Sequence, residues 1–134
     1  MTNKIAFIST ALLVAFLLSG CATFSTDVDA LFGMGIQDLE EARDKGVEKT
    51  FSISVDSAFD KIKKIAKDNK LTVYQTSKRK GYIIAMGFHK EVDTTRVGIF
   101  LESVGENKTR ITLSSLSSSA LSKAEKIIFG NLEK

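Results

Sequence analysis

The feature that constrains the fold most is a row of four strand-like segments joined by short connections. The segments are Leu71–Thr76, Tyr82–Phe88, Arg96–Val104 and Thr109–Leu116. Turn-forming residues separate them, as at positions 78–81 and 105–108. Connections this short join strands only as antiparallel neighbours, because a parallel crossover needs a dozen or more residues. The four segments therefore predict an antiparallel sheet.

A fifth strand and two helices complete the predicted domain. Apolar and polar residues alternate through Val47–Val55, which indicates a half-buried strand. A helix follows from Asp56 or Ser57, where Ser57-x-x-Asp60 resembles a capping box, and a last helix starts at positions 117–119. One sheet face collects most of the large aliphatic residues, and the two amphipathic helices are the predicted cover. The predicted fold class is α+β: a two-layer sandwich of a five-stranded antiparallel sheet with two helices on one face, in the order β-α-β-β-β-β-α.

The first 21 residues differ from this domain. Lys4 precedes a run without charge from Ile5 to Leu18, and positions 18–21 read LSGC. As a helix, the uncharged run would span roughly 21 Å, less than the ~30 Å hydrocarbon core of a bilayer. The run is therefore typical of a cleaved signal segment rather than of a transmembrane helix.

Positions 18–21 resemble the lipobox of bacterial lipoprotein precursors. The resemblance implies cleavage between Gly20 and Cys21, diacylglyceryl transfer to the Cys21 thiol, and usually acylation of the new amino terminus. A plain signal peptide with an incidental cysteine is the alternative. By resemblance to the enterobacterial sorting pattern, Ala22 after the cysteine indicates the outer membrane, with the domain facing the periplasm.

The predicted organisation has three parts: a signal peptide at 1–20, a lipidated cysteine and tether with a short helix at 21–46, and an α+β domain at 47–134. Within the tether, Gln37–Arg43 is the best helical run, and Gly46 would end it. Three arrangements remain open for residues 27–45: packing on the domain, flexibility, or docking on the membrane. Membrane docking is the least favoured, because acids outnumber bases there.

The domain also resembles a family of small uncharacterised bacterial lipoproteins. The resemblance rests on GV at 46–47, DSAF at 56–59, KTRI at 108–111 and ALSK at 120–123. It covers about Gly46 to Leu132 and implies a fold and a location but no activity. The layout is also similar to the helix-grip-like domains of an outer-membrane barrel-assembly lipoprotein, which act by docking onto partners; this likeness concerns the fold alone. The chain departs from the family in its longer linker and in LSSS at 116–119.

The residue types that catalysis needs are sparse. His89 is the only histidine, and Cys21, the only cysteine, is assigned to the lipid. The serines at 114–115 and 117–119 lack the surroundings of a nucleophile elbow, and no glycine loop has phosphate-binding spacing. We therefore expect no enzyme, with no catalytic residues, no metal and no cofactor. The formal net charge of +3 is too small to predict a nucleic-acid partner.

Two non-catalytic functions remain. In the first, acyl chains on Cys21 bind the membrane and the domain is a docking or scaffolding module for an unknown envelope protein or polymer. Its contacts would be an anionic contact at Lys78, Arg79 and Lys80, and an apolar patch of Tyr74, Ile83 and Phe100 on the open sheet face. A solvated hairpin tip is the plainer interpretation of the three bases. In the second, a small amphiphile or lipid binds between helices and sheet, and a cavity above ~300 Å³ would favour it.

Overall fold

The structure, a computed structural model, describes residues 36–89 and 93–134. Its elements are β1 (Val47–Phe51), α1 (Val55–Asp68), β2 (Thr72–Ser77), β3 (Tyr82–Met86), β4 (Val97–Gly105), β5 (Lys108–Ser114) and α2 (Ser118–Leu132). Residues 36–41 are α-helical and continue into a 3₁₀ turn at Ala42–Lys45; we call residues 36–45 the N-terminal helical segment. The predicted cleavage and lipidation sites, Gly20 and Cys21, lie outside the described residues.

All five strands form one antiparallel sheet in the order β1-β5-β4-β3-β2. The predicted α+β class and five-stranded antiparallel sheet are confirmed. Strand β3 lies in the interior of the sheet, and its residues Tyr82 to Ala85 are buried on both faces. Strands β1 and β2 are the two edges, and β2 contains a bulge between Val73 and Gln75.

The first helix begins earlier than the sequence pattern predicts. Strand β1 ends at Phe51, and Ser54 caps α1 by accepting a hydrogen bond from the Ser57 N–H at 3.2 Å. The predicted strand to Val55 and the capping box starting at Ser57 are therefore wrong. The alternation misleads here because Ile53 and Val55 still pack against the core after the strand has ended.

The main core lies between the sheet and residues from both α1 and α2. It contains every second residue of each interior strand together with the apolar stripes of the helices. Its fully buried members are Ala58, Ile62, Ala66, Ile83, Ala85, Val97, Ile99, Ile111, Leu113, Ala120, Ala124 and Ile128. Burial of each large aliphatic side chain contributes ~1.5–3 kcal/mol, so this cluster is the main source of stability.

A second apolar cluster forms on the other parity of the strands. Tyr82, Ile84 and Phe100 belong to it, and Leu39 of the N-terminal helical segment, 2% exposed, covers them. Successive side chains of a strand point to opposite faces, so this cluster lies on the sheet face opposite the main core.

Polar contacts fix the N-terminal helical segment on that face. The buried Ser114 hydroxyl donates a hydrogen bond to the Leu39 carbonyl oxygen at 2.6 Å. The Arg43 guanidinium lies 4.6 Å from the centre of the Phe100 ring, within the range of a cation–π contact. Of the three arrangements left open by the sequence, residues 36–45 therefore adopt packing on the domain.

Candidate docking surface

The predicted apolar patch of Tyr74, Ile83 and Phe100 is not a single surface. Ile83 is fully buried in the main core, and Phe100 is 5% exposed in the second cluster. Tyr74 is 49% exposed, and the Arg96 guanidinium lies 4.2 Å from the centre of its ring. The prediction placed Ile83 on the wrong face because β3 is apolar at both parities. Only its pairing with Ile99 of β4 shows which residues face the helices.

The predicted basic triplet divides into two parts. The Lys78 Nζ lies 3.3 Å from Asp56 Oδ1 and 3.8 Å from Asp60 Oδ1, so Lys78 joins the β2–β3 turn to the start of α1. Arg79 and Lys80 are exposed and make no ion pair with any described residue. Exposed ion pairs contribute little to stability, so Lys78 mainly orients the turn. Arg79 and Lys80 are the residues free to bind an anion.

These two bases extend a larger basic surface on α1. Between Lys61 and Lys80 the sequence holds eight bases and one acid, and all eight bases are exposed. Lys64 pairs with Asp68 at 2.6 Å, whereas Lys61, Lys63 and Lys67 form no ion pair within the described part of the chain. We define the basic surface as Lys63, Lys67, Arg79 and Lys80, because Lys61 lies on the side of α1 that faces the end of α2.

The acids are concentrated earlier in the chain, and two of them, Asp56 and Asp60, lie on α1 beside the basic surface. Residues 36–60 hold seven acids and three bases, and four of these acids belong to the N-terminal helical segment. The net charge of +3 therefore hides a separation of charge within the domain. The lysines of α1 were not among the contact residues predicted from the sequence. A charge count over residues 61–80 would have found this surface.

His89 has a partner that the sequence did not predict. The Ser119 Oγ, in the first turn of α2, lies 3.2 Å from the His89 Nε2. Hydrogen bonds from Thr95 hold the pKa of Asp93 below its ordinary value, and His89 adds a smaller effect in the same direction. Among the described residues, however, no hydrogen bond joins the Asp93 carboxylate to the His89 ring. The group therefore lacks the oriented imidazole of a Ser-His-Asp triad.

Described residues line open grooves at the surface. One lies between the β1 edge and α2, lined by residues such as Lys49, Glu125 and Phe129. Its volume of about 460 Å³ exceeds ~300 Å³, but it is open to solvent and not enclosed between helices and sheet. Another lies between α1 and the end of α2, lined by Lys61, Lys64 and Asp68 among others. Both are rich in charged residues, whereas an amphiphile site is lined mainly by apolar side chains. The geometry therefore favours a surface contact over an internal ligand.

Within the described residues, no group of three His, Cys, Asp or Glu side chains could hold a metal ion. The helices in the same part of the chain are each too short or too polar to cross a membrane. Comparison of the whole chain with family models, curated proteins and solved structures finds no match.

Proposed function

We propose that this chain is a lipid-anchored lipoprotein of the bacterial cell envelope whose domain is a non-catalytic docking module. The anchor is supported by LSGC at positions 18–21 after the uncharged run Ile5–Leu18. In this proposal residues 1–20 are a signal peptide, 21–46 are the lipidated cysteine and tether, whose residues 36–45 pack on the domain, and 47–134 are the domain. The domain has the element order β-α-β-β-β-β-α, with both helices covering one sheet face. The chain is held in the outer membrane and faces the periplasm.

The observation that carries the docking function is the basic surface. Its four bases are exposed and have no ion-pair partner among the described residues. A domain that needed charge only for solubility would mix both signs evenly, whereas residues 61–80 hold eight bases and one acid. Each base near an anionic membrane contributes ~1 kcal/mol, and the attraction fades within ~8 Å at physiological salt. The surface therefore fits an anionic partner that approaches closely.

The packing of the domain supports docking over binding of an amphiphile. Large side chains such as Ile62, Ile99 and Ile128 are fully buried between helices and sheet. The grooves that described residues line are open and rich in charge. An amphiphile would have to displace packed side chains, which is costly in a core of native density.

The anchor is tested with Cys21→Ala in the full chain. Because lipid attaches to the thiol, the variant should remain an unprocessed precursor and incorporate no radiolabelled fatty acid. The wild-type chain, analysed in parallel, should be labelled and fractionate with membranes. A Cys21→Ala protein that is cleaved at Gly20 and still carries label would refute the anchor.

The docking surface is tested with the chain lacking residues 1–21, which retains every described residue. It should bind phosphatidylglycerol vesicles or polyglutamate at low salt, bind phosphatidylcholine vesicles poorly, and dissociate at high salt. The first variant replaces four bases of the basic surface with serine: Lys63, Lys67, Arg79 and Lys80. The matched variant makes the same change in charge elsewhere: Lys45, Lys108, Lys123 and Lys126.

We expect the first variant to bind at least about tenfold more weakly, a loss of ~1.4 kcal/mol, and the matched variant to stay close to wild type. Circular dichroism confirms that both variants fold. Equal losses in the two variants would mean that only net charge matters, and would refute a defined docking surface. Polyglutamate binding without vesicle binding would identify the anionic partner as a protein or polymer, and the reverse would identify lipid.

A further inference from the structure

The two edges of the sheet differ in how they are protected. Strand β1 has five residues and carries Glu48 and Lys49, and Lys49 forms an ion pair with Glu133 next to α2. Strand β2 has six residues and no charged side chain, and it exposes 36% of Val73 and 49% of Tyr74. Natural proteins protect free edges with charges, proline or bulges, because an edge pairs readily with another strand. Within the part of the chain that the structure describes, β2 has a bulge but none of the other protections.

Hydrogen bonds along β3 alternate between its two neighbouring strands, and this alternation shows which main-chain groups of β2 point away from the sheet. The Leu101 N–H donates to the Gly81 carbonyl oxygen at 2.7 Å, so Gly81 and every second residue after it bond to β4. The alternate residues of β3 bond to β2 instead. Their partners in β2 are Ser77, Gln75 and Thr72. Thr76 and Val73 alternate with these partners. Their main-chain N–H and C=O groups are therefore directed away from the sheet.

Basic side chains lie along this same edge. The contacts of Lys78 with Asp56 and Asp60 place one side of α1 beside the β2–β3 turn. Lys63 follows Asp60 by three residues and Lys67 follows Lys63 by four, so both continue along that side of the helix. Arg79 lies in the turn.

Arg96 adds a base near the middle of the edge, because it stacks on Tyr74 at the bulge. Lys63, Lys67, Arg79 and Arg96 make no ion pair with another described residue. An uncharged strand edge bordered by these four bases is complementary to an extended segment that carries acids.

We propose that the free edge of β2 binds an extended acidic segment of a partner protein, which adds to the sheet as a sixth strand. This inference rests on the docking function and names its partner. Main-chain pairing supplies affinity, and acids on the added strand meet the surrounding bases. Lipid headgroups offer no peptide ladder to pair with Thr76 and Val73. A second copy of the chain would bring the same bases against each other, which is unfavourable.

The test uses the full chain in a neutral detergent and three labelled octapeptides, with binding followed by fluorescence anisotropy. The first peptide alternates valine with glutamate, the second valine with lysine, and the third proline with glutamate. The third has the acids of the first, but its prolines lack the N–H groups of a ladder. We expect the valine–glutamate peptide to bind at least about tenfold more tightly than either of the others, a difference of 1.4 kcal/mol.

Two proline variants separate the edges of the sheet. Thr76→Pro removes an outward N–H from β2. Thr50→Pro makes the same exchange on β1, where Thr50 also points outward because its partner Arg110 bonds to β4. Binding of the valine–glutamate peptide should fall at least about tenfold in Thr76→Pro and stay within about twofold in Thr50→Pro. Thermal melting monitors the fold of both, and the three-peptide comparison tests the proposal independently if either variant unfolds.

Several results would overturn the proposal. Equal binding of the proline–glutamate peptide would reduce the contact to charge attraction alone, and the docking function through the basic surface would stand. Binding of phosphatidylglycerol vesicles with no binding of any peptide would show that the surface binds lipid headgroups and not a peptide strand. A dimer of the full chain that Thr76→Pro dissociates would assign the β2 edge to a second copy. Loss of all anion binding, to peptides and vesicles alike, would refute the docking function as well.

Discussion

Leu39→Ala tests whether the N-terminal helical segment is an integral part of the domain. Leu39 is 2% exposed and packs on Tyr82, Ile84 and Phe100, on the sheet face opposite the main core. The substitution removes the side chain that covers these residues and leaves the main chain of the segment unchanged. Because Leu39 packs on the sheet, the free energy of unfolding of the domain should fall although no strand and neither long helix is altered.

The expected loss follows from the burial. Truncation of leucine to alanine removes three buried carbon atoms, or ~2.4 kcal/mol at ~0.8 kcal/mol for each. A cavity would raise the loss into the ~2–5 kcal/mol range of buried leucines. The segment can also detach, which limits the loss to the free energy that holds it on the sheet. We therefore expect a decrease of about 2–3 kcal/mol in the free energy of unfolding.

The measurement is urea unfolding of the chain lacking residues 1–21, followed by circular dichroism. Tyrosine fluorescence gives a local signal, because the chain has no tryptophan and only two tyrosines, one of them Tyr82 beneath the segment. The control is Glu40→Ala, an exposed neighbour that should change the free energy of unfolding by less than ~0.5 kcal/mol. Equal unfolding midpoints for Leu39→Ala, Glu40→Ala and wild type would refute the packing of residues 36–45 on the sheet.

Two further pairs of substitutions test the packing by thermal or urea unfolding. Gly130→Ala should raise the free energy of unfolding by ~0.5–1 kcal/mol, because its added Cβ meets open space in a helix. Gly81→Ala should lower it by more than ~1 kcal/mol, because Gly81 has φ +71° and an ideal Cβ would lie 2.5 Å from the Leu101 carbonyl oxygen; changes of the same sign would contradict this argument. Ile128→Ala should cost ~3–4 kcal/mol, since Ile128 is fully buried, and Ile127→Ala about half as much, since Ile127 is partly exposed. Equal losses at Ile127 and Ile128 would show that α2 packs with a different face.

The sheet could be predicted from the sequence because its main constraints are local. Short connections exclude parallel pairing for β2 to β5, and each strand is enriched in β-branched or aromatic residues. Boundaries were less accurate where two structures share a pattern. The alternation through Ile53 and Val55 fits a strand, but the Ser54 hydroxyl caps the helix there and ends the strand early. The boundary between strand and helix depends on this hydrogen bond, which cannot be detected from hydrophobic periodicity.

The candidate site was harder to predict because it depends on which face each residue takes. Tyr82 to Ala85 are all apolar or aromatic. An alternating pattern is therefore absent from β3, and the sequence does not show which of its residues face the helices. Its register with β4 places Ile83 in the main core and pairs Tyr82 with Phe100 on the other face. The open face assumed from the sequence is also partly covered, since the N-terminal helical segment packs there. The exposure of Arg79 and Lys80 needed no such information, because turns are solvated whatever the parity.

The fold brings together bases that the sequence separates into two groups. Lys63 and Lys67 lie on α1, whereas Arg79 and Lys80 follow β2. Strand β2 runs back along the helix, and Lys78 joins its far end to the acids in the first turns of α1. Asp56 and Asp60 therefore pair with Lys78, the base of the turn that faces the helix. Arg79 and Lys80, at the tip of the turn, form no ion pair with a described residue. Asp56 and Asp60 neutralise Lys78, which is not part of the basic surface, so the charge of that surface is directed to solvent and to the edge of β2.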